Sequence, residues 1–236
     1  MLSHIYFIGN DGDFLKCMTD DEYRKNVEFW DNFSKNYDDD IDFAYGQGVR
    51  PMGLGRLREE GRFGEAVEFA CGSGYFSKAL SEMCDTVLVT DLSEKFLSIA
   101  KERLAGLPNI SFSIADCEQT GMPDSEYDLV FTGLLGNSID VGKTYREFYR
   151  ILKPGGVYIT YVAMFSLMDA ELLRRLHLRQ ISRGRTSAPP KYYEQSFDAF
   201  RDTAEKSGFK VIVHEQMRDH DDPTSVPFMY MKCVKP

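Results

Sequence analysis

Between residues 65 and 162 the chain alternates short apolar runs with amphipathic stretches, and this alternation constrains its fold more than any other feature. Glu65 to Ala70, Thr86 to Thr90, Ile110 to Ala115, Tyr127 to Thr132 and Val157 to Val162 are each long enough for a strand and too short for a globular helix. Tyr75 to Met83, Glu94 to Leu104 and Tyr145 to Leu152 carry the helical spacing between them, with Ser93 placed as an N-cap. Strands separated by helices build a mainly parallel sheet covered on both faces. Lys153-Pro154-Gly155-Gly156 reads as the close of the preceding helix, with the lysine at its negative end and glycine taking the left-handed turn.

Beyond this run, the sequence predicts a helical insertion from about Ser166 to Ile181, a looser stretch through Pro190 and a helix near Phe197 to Ser207. Two last strands follow, Lys210 to Glu215 and Phe228 to Val234. No helix pattern separates those two, so they are expected to pair antiparallel as a C-terminal hairpin. Ahead of the core, a helix is expected near Asp21 to Asn36 in an aromatic-rich segment. The expected organisation is thus a helical, aromatic cap over residues 1–60, and a core over residues 61–236 with its insertion at about 163–207.

The chain has 236 residues, 43% hydrophobic and 28% charged, which suits one globular α/β domain with embellishments. Its apolar runs fall far short of the roughly 18 residues that cross a bilayer. The first ten residues lack a basic stretch followed by a small-residue cleavage site, so no export signal is expected. Five scattered cysteines without a CxxC pair suggest reduced thiols in a cytoplasm, and no zinc site. A net charge of −9 argues against generic nucleic-acid binding.

Three strand ends carry polar stations. Gly72 and Gly74, in Glu68-Phe69-Ala70-Cys71-Gly72-Ser73-Gly74, lie where the first strand turns toward its helix, the crevice in which open α/β sheets bind ligands. Without a Cβ, the backbone there passes close to a bound molecule. Asp91 ends the second strand; an ionised carboxylate accepts only, and a ribose diol offers two donors. Asp116 follows the third strand, where it faces an amino group of adenine in the same scheme, with the Cys117 N–H approaching a ring nitrogen. Singly, each is as readily a tight turn, a loop residue or a cap; their succession points to a nucleoside.

These motifs resemble the class I S-adenosylmethionine-dependent methyltransferases, in the methyltransferase-domain group with many small-molecule members. The resemblance rests on Glu68-x-Ala70-x-Gly72-x-Gly74, Val89-Thr90-Asp91-Leu92-Ser93, Ala115-Asp116-Cys117, Tyr127-Asp128-Leu129-Val130 and Arg150-Ile151-Leu152-Lys153-Pro154-Gly155-Gly156. Upstream, Trp30-Asp31-x-Phe33-x-x-x-Tyr37-Asp38 is similar to the helix that lies over the cofactor in this group. The family implies a Rossmann-like, seven-stranded, mostly parallel sheet whose one antiparallel strand lies near an edge, in keeping with the hairpin. It implies that Glu68 meets the methionine amino end, that Gly72 and Gly74 line methionine and ribose, and that Asp91 holds the diol. Leu92 and Cys117 would pack on adenine, with Asp116 at its amino group; Tyr37, Ala70 and Thr132 complete the expected set. Ala70 stands where the family has its first motif glycine, which is tolerable if its φ is negative.

A dinucleotide-binding turn is the rival reading. Gly72-Ser73-Gly74-Tyr75-Phe76-Ser77 lacks the third glycine of that motif, so nicotinamide-dependent oxidoreduction ranks second and a silent S-adenosylmethionine-binding module third. Methyl transfer from a sulfonium needs alignment first and a base only for a protonated acceptor. His177 and His214 stand nearest the regions expected to face a small-molecule acceptor, but each is better read as a surface or packing residue, and no catalytic residue is assigned. Arg174, Arg175, Arg179, Arg183, Arg185 and Lys191 face Glu171 as the only acid between residues 171 and 191. A solvated helix face explains them most simply; the sharper expectation is an anionic acceptor, carboxylate or phosphate, held by arginine.

Overall fold

The computed structural model describes residues 20–136, 139–168, 196–222 and 224–236, with 170, 171, 174, 175, 178 and 182 between them. The order of elements is α1 (Asp20–Phe33), a 3-10 turn (Ser34–Asn36), α2 (Tyr37–Tyr45), α3 (Val49–Arg58), β1 (Phe63–Phe69), α4 (Ser77–Met83) and β2 (Cys84–Asp91). Then come α5 (Glu94–Arg103), β3 (Ile110–Ile114), β4 (Tyr127–Gly133), α6 (Val141–Ile151), β5 (Leu152–Ala163), a 3-10 turn (Phe165–Leu167), α7 (Phe197–Lys206), β6 (Lys210–Met217) and β7 (Phe228–Val234).

The seven strands form one sheet in the order β3-β2-β1-β4-β5-β7-β6. All neighbours from β3 to β5 are parallel, whereas β7 runs antiparallel to both β5 and β6. The expected terminal pair is therefore present, with its second strand inserted inside the first, so that β6 forms the edge. Between β1 and β4 the strand order reverses, and a crevice opens at such a switch point, outside the carboxyl ends of the strands.

The sheet is buried on both sides. One face packs Ala66, Val87, Val89, Leu129 and Phe131 against Leu57 of α3, Leu80 of α4 and Leu97 of α5. The other packs Val67, Phe69, Val130 and Tyr158 against Tyr145 and Phe148 of α6 and Phe200 of α7. In α6 the buried residues Val141, Thr144, Tyr145, Phe148 and Ile151 recur on one helical face. Its N-cap is Asp140, which accepts from the Lys143 N–H at 3.0 Å, so this helix begins at Val141 rather than Tyr145. Ser93 caps α5 as expected, accepting from the Phe96 N–H at 3.2 Å.

Lys153-Pro154-Gly155-Gly156 does not close α6. The helix ends at Ile151, Leu152 is already extended (φ −74°, ψ 141°), and the motif lies within β5 as a bulge. Tyr127 pairs with Leu152 and Leu129 with Val157, so the extra residues arch out of the ladder where Pro154 has no N–H to offer. Gly155, at φ 79°, donates its N–H to Lys235 O at 2.8 Å. Lys153 Nζ bonds Glu65 and Asp128, at 2.8 and 2.9 Å, instead of the helix end. The expected insertion helix and the basic stretch from Arg179 to Lys191 lie largely outside the described residues. Arg174 and Arg175 are described, and both pair with Glu171 at 2.9 Å.

Candidate cofactor cleft

A cleft of about 790 Å³, counting the part open to solvent, lies at the carboxyl ends of β1 to β4. Seven of the ten residues expected at a cofactor share its lining: Tyr37, Ala70, Gly72, Asp91, Leu92, Asp116 and Cys117. The other three do not reach it. Gly74 presses against α5, where an added Cβ would meet Ala100 and Leu104 at 3.2 Å. Thr132 is buried on the α6 face of the sheet, bonded to Thr160 and Tyr158 at 2.9 and 3.2 Å, because it shares the strand parity of Val130. Glu68 is buried beneath the glycine turn, where it accepts from Ser77 Oγ at 2.5 Å.

Asp91 is held firmly. Its Oδ2 accepts from the Gly72 N–H and its Oδ1 from the Ser93 N–H, both at 2.9 Å, which leaves a second acceptor direction on each oxygen. Burial raises its pKa to about 6, against the lowering effect of those N–H groups. Glu68 is pushed up to about 8, again by burial, with Ser77 opposing and Asp91 adding to the shift. At neutral pH the Glu68 carboxyl is therefore mostly protonated. Asp116 Oδ1 accepts from the Glu118 N–H at 2.9 Å.

Ala70 adopts φ 53°, so the negative φ under which an alanine is tolerable in that glycine position is not met. The β1 turn needs a left-handed residue here, and Cβ crowding makes that costly for anything but glycine. Leu134, also in the lining, has φ 65° and donates its N–H to Tyr161 O at 2.6 Å. Gly72, at φ 54°, lies so near Tyr37 that an added Cβ would stand 3.1 Å from the ring.

The N-terminal helices roof this cleft through carboxylates. Ser93 Oγ donates to Asp31 of α1 at 2.5 Å. Asp38 of α2 accepts from Ser73 Oγ at 2.6 Å, pairs with Arg50 at 2.5 Å and binds Arg103 of α5. Arg50 also pairs with Asp42, and its guanidinium lies 4.3 Å from the centre of the Tyr75 ring. Asn26 and Trp30, one turn apart on α1, join the lining from this roof, as do Leu135 and Ile139 from the loop after β4. Trp30 belongs to the helix that the resemblance puts over the cofactor, whereas Asn26, Leu135 and Ile139 were not singled out in the sequence; for Asn26 the available signal was the helical face it shares with Trp30.

His214 is not in the lining. It lies on the edge strand β6, stacked on Phe197 at 3.9 Å, with Nε2 3.0 Å from Phe197 O. Its expected proximity to the acceptor is thus corrected by the strand order, which places β6 farthest from β1 on that side. His177 lies outside the described residues.

A family model described as a methyltransferase domain matches residues 67–160, the stretch that holds β1 through β5. The matched stretch spans less than half of the chain, and within it the sequence is similar to methyltransferase domains. Among curated relatives of this chain, a malonyl-[acyl-carrier protein] O-methyltransferase of Serratia marcescens is 31% identical over 55% of this chain and 47% of its own length. A ubiquinone/menaquinone biosynthesis C-methyltransferase of Marinomonas sp. is 26% identical over 81% of this chain and 79% of its own. For most such relatives the match spans about half of their length or less. The fold is shared with a Haloferax volcanii protein solved with the Trm112 methyltransferase activator: TM-score 0.69, 18% identity, 88% of this chain and 97% of that one. It is also shared with DhpI solved with S-adenosylhomocysteine: TM-score 0.66, 21% identity, 89% and 95% covered. The cofactor that the resemblance implies is S-adenosylmethionine. The residues present would suit that group: Asp91 offers a carboxylate held by two backbone N–H groups, and Asp116 lines the same hollow.

Proposed function

We propose that the protein transfers a methyl group from S-adenosylmethionine to a small organic acceptor, and that this acceptor is anionic. The carrying observation is the Asp91 carboxylate, fixed by two backbone N–H groups at the rim of a cleft shared with Gly72 and Asp116. In this reading Asp91 accepts from the ribose hydroxyls, Asp116 from the adenine amine, and Leu92 and Cys117 pack on the base. Tyr37, Ala70 and Gly72 bound the ribose and methionine. Glu68 acts from beneath, as a buried carboxyl that a cationic amino group draws into its ionised form. Bound S-adenosylmethionine supplies an electrophilic methyl on sulfur; the chain's part is to hold donor and acceptor in line and exclude water.

An anionic acceptor agrees with the arginine-rich stretch from Arg174 to Lys191. The names of relatives, a malonyl-[acyl-carrier protein] O-methyltransferase and a ubiquinone/menaquinone biosynthesis C-methyltransferase, support methyl transfer without fixing the acceptor's charge. The dinucleotide reading is disfavoured by Ser77, which stands at the third-glycine position and spends its hydroxyl on Glu68, where that motif needs bare backbone beside a helix.

A thermal-shift comparison tests the cofactor assignment. S-Adenosylhomocysteine at 100 times its Kd stabilises the fold by about 2.7 kcal/mol, and NAD leaves the melting temperature unchanged. Stabilisation by NAD alone refutes the reading. For the acceptor, replacing Arg183 and Arg185 by alanine is expected to raise acceptor KM and leave cofactor affinity unaltered; equal losses in both refute an anion-holding role.

A further inference from the structure

The strands at the two edges of the sheet, β3 and β6, differ in what they present there. β6 is interrupted by a register shift between Val211 and Val213 and carries Lys210, His214 and Glu215. Bulges and charged side chains of this kind keep an edge from pairing with a neighbour. β3 has neither. Its residues Ile110-Ser111-Phe112-Ser113-Ile114 carry no charge and no proline, its register with β2 is continuous, and Ile114 is 48% exposed.

β3 also reads the same in both directions. Antiparallel pairing with a second copy, about a two-fold axis through Phe112, therefore sets Ile110 opposite Ile114, Ser111 opposite Ser113 and Phe112 opposite itself. The outward backbone groups fall where this register needs them. Asn109 O accepts from the Val87 N–H at 2.9 Å and the Ala115 N–H donates to Asp91 O at 3.2 Å, so Ser111 and Ser113, which share their parity, face β2. Ile110, Phe112 and Ile114 have the opposite parity and direct their N–H and C=O groups away from β2; among the described residues β3 pairs with β2 alone. In an antiparallel ladder, facing residues alternate between pairs that exchange both hydrogen bonds and pairs that exchange none. Centred on Phe112, the bonded pairs use every outward group of the strand, and the serines form the unbonded pairs between them.

We propose that β3 is a self-docking edge, along which two copies of this chain join antiparallel over Ile110–Ile114 into one continuous sheet. The axis stands perpendicular to the sheet, so the face on which Ile110 and Phe112 pack partly against Leu97 and Ala100 of α5 continues into the same face of the second copy. There the two Phe112 side chains meet, and the exposed Ile114 of each copy gains Ile110 of the other as a cross-strand neighbour.

Sedimentation equilibrium of the full chain over a concentration series is expected to show monomer and dimer in exchange. A monomer at every concentration overturns the proposal and leaves this edge to a strand of a different protein. Ser111→Lys with Ser113→Lys sets lysine against lysine at both serine pairs and is expected to weaken the dimer roughly tenfold; Ser111→Lys with Ser113→Glu sets opposite charges there and is expected to restore it. Both serines are exposed, so neither variant buries a charge. Equal dimerisation of wild type and both variants places the contact elsewhere, and equal loss in both variants refutes the register. Amide exchange on wild type carries the test if a variant fails to fold. Exchange at Ile110, Phe112 and Ile114 is expected to slow as concentration rises, with Ser111 and Ser113 unchanged because β2 already holds them; no slowing, or slowing at the serines instead, overturns the pairing.

Discussion

Ala70 holds a left-handed backbone conformation in the turn that opens the cleft, at φ 53°. A left-handed alanine costs about 1–2 kcal/mol relative to the right-handed region, and glycine in the unfolded chain costs back about 0.4–1 kcal/mol in entropy. Ala70→Gly is therefore expected to stabilise the fold by about 0.5–1 kcal/mol in a urea titration. The alanine is kept at a cost, and strain of this kind concentrates at binding sites. Glu68 gives a second prediction at this scale. Its folded pKa of about 8 lies above the 4.5 ordinary for a glutamate, so between those values the folded state holds a proton that the unfolded state has lost. Stability of the ligand-free protein falls as pH rises through that window, and Glu68→Gln flattens the fall. A melting curve that rises with pH over the same range, with the variant unchanged, contradicts it.

Among the elements, α1 and α2 are attached to the Rossmann-like core by carboxylates as well as by apolar packing. Asp38 alone joins Ser73 of the glycine turn, Arg50 of α3 and Arg103 of α5. Asp38→Ala leaves Arg50 paired with Asp42 but releases the turn and α5, so a loss of about 1–3 kcal/mol is expected, with faster amide exchange in α1 and α2. The central strands and Ser93 were legible in sequence because apolar runs and caps are local signals. The bulge in β5 was not: proline and two glycines after a helix look like a stop, and only the register with β4 shows a continuing strand. At the site, Asp91 and Asp116 were legible as acids that follow strands. Thr132 was misassigned because strand parity sends it to the opposite face, and Asn26 was missed because its place in the lining exists only once the roof is packed.

Across the whole molecule, two apolar layers sandwich a single sheet, and the last strand in sequence is interior to it. Seven register positions join β5 to β7, and among the described residues β6 pairs in the sheet only with β7. Amide exchange is expected to release β6 and β7 as one unit, with β6 never more protected than β7; independent protection of β6 would contradict the topology. On the ribosome, this arrangement sets an order of events. As a nascent chain lengthens, β1 to β5 can close upon one another, but β6 emerges with no vacant neighbour and waits until Phe228 to Val234 have been synthesised and threaded beside β5. Translation that halts before that point leaves an unpaired edge along β5, the kind of surface on which chaperones act and aggregates begin.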